Sequence, residues 1–239
     1  MVDRPELKFP PYTASTPTYL SNGRSVIQAA AKQDILLHHP YQSFEPIVQF
    51  IREAAHDPDV VAIKMTIYRT GSNSELVREL MAAALAGKQI TVVVELMARF
   101  DEANNANWAQ YLEDAGAHVV YGVYGYKVHA KMALVVRREQ GNLKRYAHVG
   151  TGNYHQGNSR IYTDFGLITA DEHITADVNT LFMEITGLGQ PIKLNKLYQS
   201  PFTLHKMVIS SIQREIEHAK AGKPARIIAK MNSLIETSV

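Results

Sequence analysis

The chain has 239 residues, of which 46% are hydrophobic, 20% charged and 8% aromatic, and none is cysteine. That composition excludes a disordered or solvating segment, a disulfide scaffold, a cysteine nucleophile and a thiolate metal site. The formal net charge is only +2, yet the window from Lys127 to Arg160 holds seven basic residues against one acid, Glu139. One strongly basic segment in a near-neutral chain suggests an anionic partner met at one place. The plainer reading is a solvated face balanced by acids elsewhere in space. No apolar h-region follows the opening MVDRPELKFPPY. No run approaches the roughly 18 apolar residues of a spanning helix. A soluble globular protein is expected.

Residues 1–20, rich in Pro, Thr and Tyr, read as a lead-in or linker. DILLHH (34–39) reads as a strand, and Phe44 to about Ala55 as a helix closed by Asp57-Pro58-Asp59. VVAIKMTIY (60–68) is a buried strand rich in β-branched residues. The loop RTGSNS (69–74) ends in Ser74, which can cap a helix running to about Ala86, with Gly87 ending it. QITVVVELM (89–97) is a further strand, followed by a helix over 105–115, Gly116, and a short strand HVVYG (118–122). This alternation predicts an α/β fold with a mostly parallel sheet and helices on both faces.

After that the pattern changes. KVHAKMALVV (127–136), KRYAHVG (144–150) and DFGLIT (164–169) are strands separated only by loops, so an antiparallel or mixed addition is expected. ITADVNTLFMEITG (174–187) is a helix, and residues 187–201 have the Gly, Pro and polar content of a linker. An amphipathic helix from Thr203 to about Ala221 and a strand ARIIAKM (225–231) then read as the opening of a second α/β domain.

The segment Lys127-Val128-His129-Ala130-Lys131-Met132 carries the sharpest chemical signal. In a strand Lys127, His129 and Lys131 would project from one face, with Val128, Ala130 and Met132 toward the core. Two ammonium groups beside an imidazole favour its neutral, nucleophilic form and attract phosphate to it. Downstream, Gly150-Thr151-Gly152-Asn153 is a small-residue turn whose amides and Asn153 side chain could hold phosphate oxygens or orient the imidazole. Arg69 and Arg99 each follow a predicted strand, at the edge where open α/β sheets bind ligands. Arginine's planar fork suits phosphate. His38-His39-Pro40 ends the first strand at the same edge. No Walker loop and no metal-ligand spacing such as HExxH is present.

HHPYQSF, IKMTIYRTGSNS, ELMARFDEANN, YGYKVHAKMALVVRRE, YAHVGTGNYH and IYTDFGLIT occur in that order. Together they resemble the catalytic core of the long-chain, phosphohistidine-forming polyphosphate kinase family, from about Asp34 onward. The resemblance implies a phospholipase D-like fold, in which H-x-K and G-[ST]-x-N belong to one half-site. It further implies that His129 accepts the γ-phosphoryl group of ATP and passes it reversibly to polyphosphate, with Lys131 neutralising that group. Tyr162 would lie at the ATP site with Asn153. Arg69 and Arg99 match positions assigned to Mg2+. Guanidinium is a poor metal ligand, so they read as clamps on phosphate oxygens that the metal also contacts.

Residues 21–196 would then be a first catalytic domain and 197–239 the start of a second. Family members are several-fold longer, carrying N-terminal, helical and second catalytic domains and forming a homo-oligomer. Little or no activity is therefore expected of this chain alone. The resemblance implies ATP, ADP and inorganic polyphosphate as partners, without specific nucleic-acid binding. It places the chain in the cytoplasm, with the longer enzyme peripheral to a membrane at most. The phospholipase D consensus has an Asp five residues after the H-x-K lysine, where this chain has Val136. That departure weighs against two alternatives less than equally: it disfavours a phospholipase D-like phosphodiesterase or nuclease, and leaves a non-catalytic polyanion-binding module open.

Overall fold

The computed structural model describes residues 4–10, 12–21, 23–68, 74–95, 102–123, 125–187, 193–231, 233–237 and 239. They form two units, Met1–Asn195 and Lys196–Val239.

The first unit is built on a seven-stranded sheet. Its strands are β1 (Ile35–His38), β2 (Val60–Ile67), β3 (Gln89–Val94), β4 (His118–Tyr121), β5 (Lys131–Glu139), β6 (Asn142–Gly150) and β7 (Phe165–Thr169), ordered β1-β7-β6-β5-β2-β3-β4. β2, β3 and β4 pair in parallel, while the four remaining pairings are antiparallel. Five strands (β1 to β4 and β6) nevertheless run in one direction, so their carboxyl ends share an edge with the amino ends of β5 and β7. The sheet is mixed, and its parallel pairing is confined to the β2–β4 half.

Local chemistry explains the crossovers. Ser74 accepts from the Val77 amide and caps α3 (Glu75–Leu85), a side-chain substitute for an unpaired helix-end group. Gly87, at φ +84°, ends the excursion in a conformation that favours glycine. β5 and β6 form a hairpin whose two turn residues, Gln140 and Gly141, both have positive φ. That is the type I′ geometry matching strand twist.

Helices cover both faces, as the periodicity predicts. Ile63, Met65 and Ile67 of β2 share a core with α1 (Val26–Ala30), α2 (Glu45–His56), α3 and α4 (Glu102–Asp114), through Ile27, Phe50, Leu80 and Leu112. The alternate residue Lys64 reaches the other face, where its ammonium donates to Asn179 of α5 (Glu172–Ile185). This is the period-two consequence of a strand buried between two layers. The lead-in is also tied down: Ser15 bridges to Gln42, and Leu20 is buried.

Two expectations are corrected. The strand placed over 127–136 begins only at Lys131, so Lys127, His129 and Lys131 do not alternate on one face. Val128 and Lys131 are buried, while Lys127, His129 and Ala130 are exposed. In the second unit α6 (Leu204–Lys220) forms, but residues 225–231 make no strand. A strand needs a neighbour to take its backbone hydrogen bonds, and the described residues of this unit supply none.

Candidate functional site

The shared edge collects most of the residues that the sequence singles out. The antiparallel register of β5 and β6 sets Lys131 opposite Gly150. The H-x-K segment and the Gly150–Asn153 turn therefore meet through backbone pairing, although nineteen positions separate Lys131 from Gly150 in sequence.

Three side chains hold the irregular segment in front of β5. Backbone pairing of β2 with β5 stops at Met65 and Ala133, and Thr66 takes over. Its hydroxyl donates to the Ala130 carbonyl at 2.7 Å and accepts from the Met132 amide at 3.1 Å. Glu95, buried just past β3, accepts from the Val128 amide at 3.0 Å. Asn105 of α4 donates to the carbonyls of Tyr68 and Glu95 at 2.8 and 3.0 Å. The ends of β2 and β3 are thereby locked to each other and to the histidine segment.

Tyr68 is the wall that His129 and Lys131 share. The imidazole meets its ring edge-on, with centroids 4.9 Å apart and planes at 79°. The Lys131 ammonium lies 4.7 Å from the centre of the same ring. It also donates to the carbonyl of His129 at 2.6 Å. A buried ammonium over an aromatic face and on a carbonyl is a compensated charge. It fixes the backbone of the nucleophile candidate and keeps a positive charge beside it.

The Gly150–Asn153 turn is braced by Asp164. Thr151 donates its hydroxyl proton to Asp164 at 2.8 Å, and its hydroxyl oxygen accepts from the Phe165 amide at 3.0 Å. A Cβ on Gly152 would lie 2.6 Å from the Asp164 carboxylate, so only glycine fits that close approach. Tyr162, between this turn and β7, exposes about half of its surface, 55%. His38 stacks on Phe165 at 4.3 Å and 8°, as their register pairing requires. Arg69 and Arg99 lie outside the described residues.

The basic window is split, contrary to a single anion-binding patch. β5 carries it from one edge of the sheet to the other. Arg137 pairs there with Asp57, Asp59 and Glu139, at 2.8, 3.1 and 3.3 Å. Lys144 lies 3.8 Å from Glu139. Burial pushes the Asp57 carboxyl up, but the Arg137 guanidinium, the Asp59 amide and Lys88 together hold it below its ordinary value. A groove of about 910 Å3 runs beside this network, lined by Gln28, Lys32, Glu53 and Tyr146 among others. It lies at the edge away from His129.

Thr66, Tyr68, Glu95 and Asn105 escaped sequence reasoning. An acidic residue, Glu95, interrupting the apolar run ITVVVELM was the one available signal. Among the described residues no group of three His, Cys, Asp or Glu side chains is placed to hold a metal ion. No described helix is long and apolar enough to cross a membrane.

A mixed sheet in which the H-x-K segment leads into one strand and the G-T-G-N turn closes the next is a phospholipase D-like fold. A phospholipase D family member, Nuc from Salmonella typhimurium, is similar in fold at a TM-score of 0.50, with 13% identity over 67% of this chain and 98% of its own. The polyphosphate kinase C-terminal domain 1 family matches residues 25–191, and its C-terminal domain 2 matches 197–239. The chain belongs to the polyphosphate kinase family. It is 76% identical over all 239 residues to a polyphosphate kinase of Neisseria meningitidis serogroup C. A crystal structure of polyphosphate kinase from Porphyromonas gingivalis is similar at a TM-score of 0.80 and 35% identity, covering 91% of this chain and 36% of that one. The chain spans 35% of the length of the curated relatives it matches.

Proposed function

We propose that this chain carries the nucleophile-bearing half of an ATP:polyphosphate phosphotransferase, with residues 197–239 opening the second half. The observation that carries the reading is the register of Lys131 on Gly150, which sets the histidine segment against the Gly150–Asn153 turn in a family member. His129 would attack the γ-phosphorus of ATP, forming the N–P bond as the bond to ADP breaks. The polyphosphate terminus then takes the phosphoryl group from the imidazole, and the sequence is reversible. Lys131 holds the His129 backbone and adds positive charge where the transferring group carries negative charge. Asn153 and the turn amides position phosphate oxygens, and Tyr162 lies against the nucleotide. Positioning and charge supply most of such a catalysis.

Arg69 and Arg99 are proposed as phosphate clamps. Mg2+ would contact the same phosphate oxygens that these two arginines clamp. The partners are ATP or ADP and polyphosphate, and the longer protein would supply the remaining domains and a homo-oligomer in the cytoplasm. Val136 in place of the phospholipase D acid argues against phosphodiester cleavage, and the pairing of Arg137 and Lys144 away from the site argues against a mere polyanion-binding surface.

The test is labelling from γ-labelled ATP or labelled polyphosphate, scored as acid-labile, base-stable phosphate. Label on the wild-type chain that disappears in His129→Ala supports the assignment. Label that survives His129→Ala refutes it.

A further inference from the structure

Beside the Gly150–Asn153 turn two histidines, His39 and His148, are buried. His39 follows β1 and His148 lies in β6, both beneath α2, with Phe44 and Ile47 as walls. Each ring has an Nε2 atom shielded from solvent that no protein group meets, and the Oδ1 of Asn153 is in the same condition. All three residues line one cavity of about 10 Å3, the size that admits about one water molecule.

Gly166 of β7 lies against both rings. A Cβ there would stand 2.9 Å from the His148 Nε2 and 3.6 Å from the His39 Nε2, so both nitrogens face the same point. Its φ is not in the left-handed region, so the demand for glycine there is one of space.

The other hydrogen bonds of the two rings fix where their protons sit. His39 Nδ1 is 2.9 Å from the Gln42 carbonyl oxygen. A carbonyl only accepts, so His39 carries its proton on Nδ1 and its Nε2 is a bare acceptor. His148 Nδ1 is 2.7 Å from the Tyr154 hydroxyl. That phenol is buried, and burial holds it protonated. Donating to His148 satisfies the phenolic proton, so the His148 proton sits on Nε2 and points into the cavity. Around the cavity the unpartnered atoms are thus one donor, His148 Nε2–H, and two acceptors, His39 Nε2 and Asn153 Oδ1. Water, which can accept one hydrogen bond and donate two, is matched to that set.

We propose that this cavity binds one internal water, which accepts from His148, donates to His39 and Asn153, and so fixes which end of the Asn153 amide faces outward. With Oδ1 held inward by the water, the amide NH2 is turned away from it, as a donor for an anion. His39, His148 and Tyr154 are positioning residues that act on the turn through the water. Only the anion step rests on the phosphate reading of Asn153; the water site stands on the buried atoms.

The 239-residue chain with 15N-labelled histidine tests this by long-range proton–nitrogen correlation near neutral pH, with His39→Gln and His148→Gln assigning the signals. Opposite tautomers are expected, Nδ1–H in His39 and Nε2–H in His148. The same tautomer in both rings, or a charged ring in either, would overturn the proposal. Gly166→Ala, which sets a methyl against both Nε2 atoms, should shift the Nε2 signals of both rings together. A shift confined to one ring would refute a shared water. Titration with inorganic phosphate separates the two readings. Asn153→Asp keeps an oxygen for the water but removes the outward NH2, and should weaken phosphate binding roughly ten-fold or more, the loss of a charge-assisted hydrogen bond. Expected tautomers with unchanged phosphate affinity would leave the water site standing and remove Asn153 from the phosphate site.

Discussion

Lowering the pH from 7 to 5 should destabilise the sheet-bearing unit through His148. Desolvation first, and the neighbouring His39 second, push this imidazole down to about 3 from an ordinary 6.5. Between those values the unfolded chain binds a proton that the folded chain refuses. The stabilisation is therefore complete above the unfolded value and is lost as the pH falls through 6.5 toward 3. The slope approaches ~1.4 kcal/mol per pH unit, and integration from pH 7 to 5 gives a loss of about 2 kcal/mol. His39 is pushed the same way by burial, against the opposing pulls of Gln42 and Asp164, and adds to the loss. Tyr154, Asn153, Ser159, Asp164 and His38 are the other polar side chains facing this pair among the described residues. Urea unfolding followed by the fluorescence of Trp108, the single tryptophan, at pH 7, 6 and 5 provides the assay. His148→Gln cannot titrate, so it should start less stable but lose about 2 kcal/mol less over that range. Equal pH slopes for the two proteins would refute the reasoning.

Glu95→Gln weakens the brace on the Val128 amide, a charge-assisted bond contributing about 1.5–3 kcal/mol. Faster hydrogen exchange at Val128, with a smaller effect in β6, is the expected readout. Gly152→Ala forces a Cβ to within 2.6 Å of Asp164 and should cost ~1–3 kcal/mol. Combining it with Asp164→Ala should cost less than the sum of the singles, and strict additivity in urea melts would contradict the close approach. Arg137→Ala breaks the cluster with Asp57, Asp59 and Glu139. Its side chains are only partly shielded, so a loss of about 1 kcal/mol is expected. Phosphate affinity measured calorimetrically should stay unchanged, because that cluster lies at the other edge of the sheet.

The sequence by itself determined what depends on neighbours along the chain. The strand periods, the Ser74 cap, Gly87 and the Gly150–Asn153 turn were readable because their causes act within a few residues. The order of motifs was enough to mark the family resemblance. Tertiary structure decided which strands became partners, and the consequences follow from that choice. β5 enters between β2 and β6, so Thr66 rather than a ladder bond holds Ala130 and Met132, and the strand starts four residues later than its apolar pattern suggests. Lys131, exposed on paper, is buried over Tyr68. The basic window looked like one feature in sequence. A nine-residue strand separates its ends by roughly 3.3 Å per residue, so Lys131 serves one edge while Arg137 serves the other. His39 and His148 are more than a hundred residues apart in sequence. Only the fold places their Nε2 atoms around one point, because β1 is carried to the far side of β7 and β6.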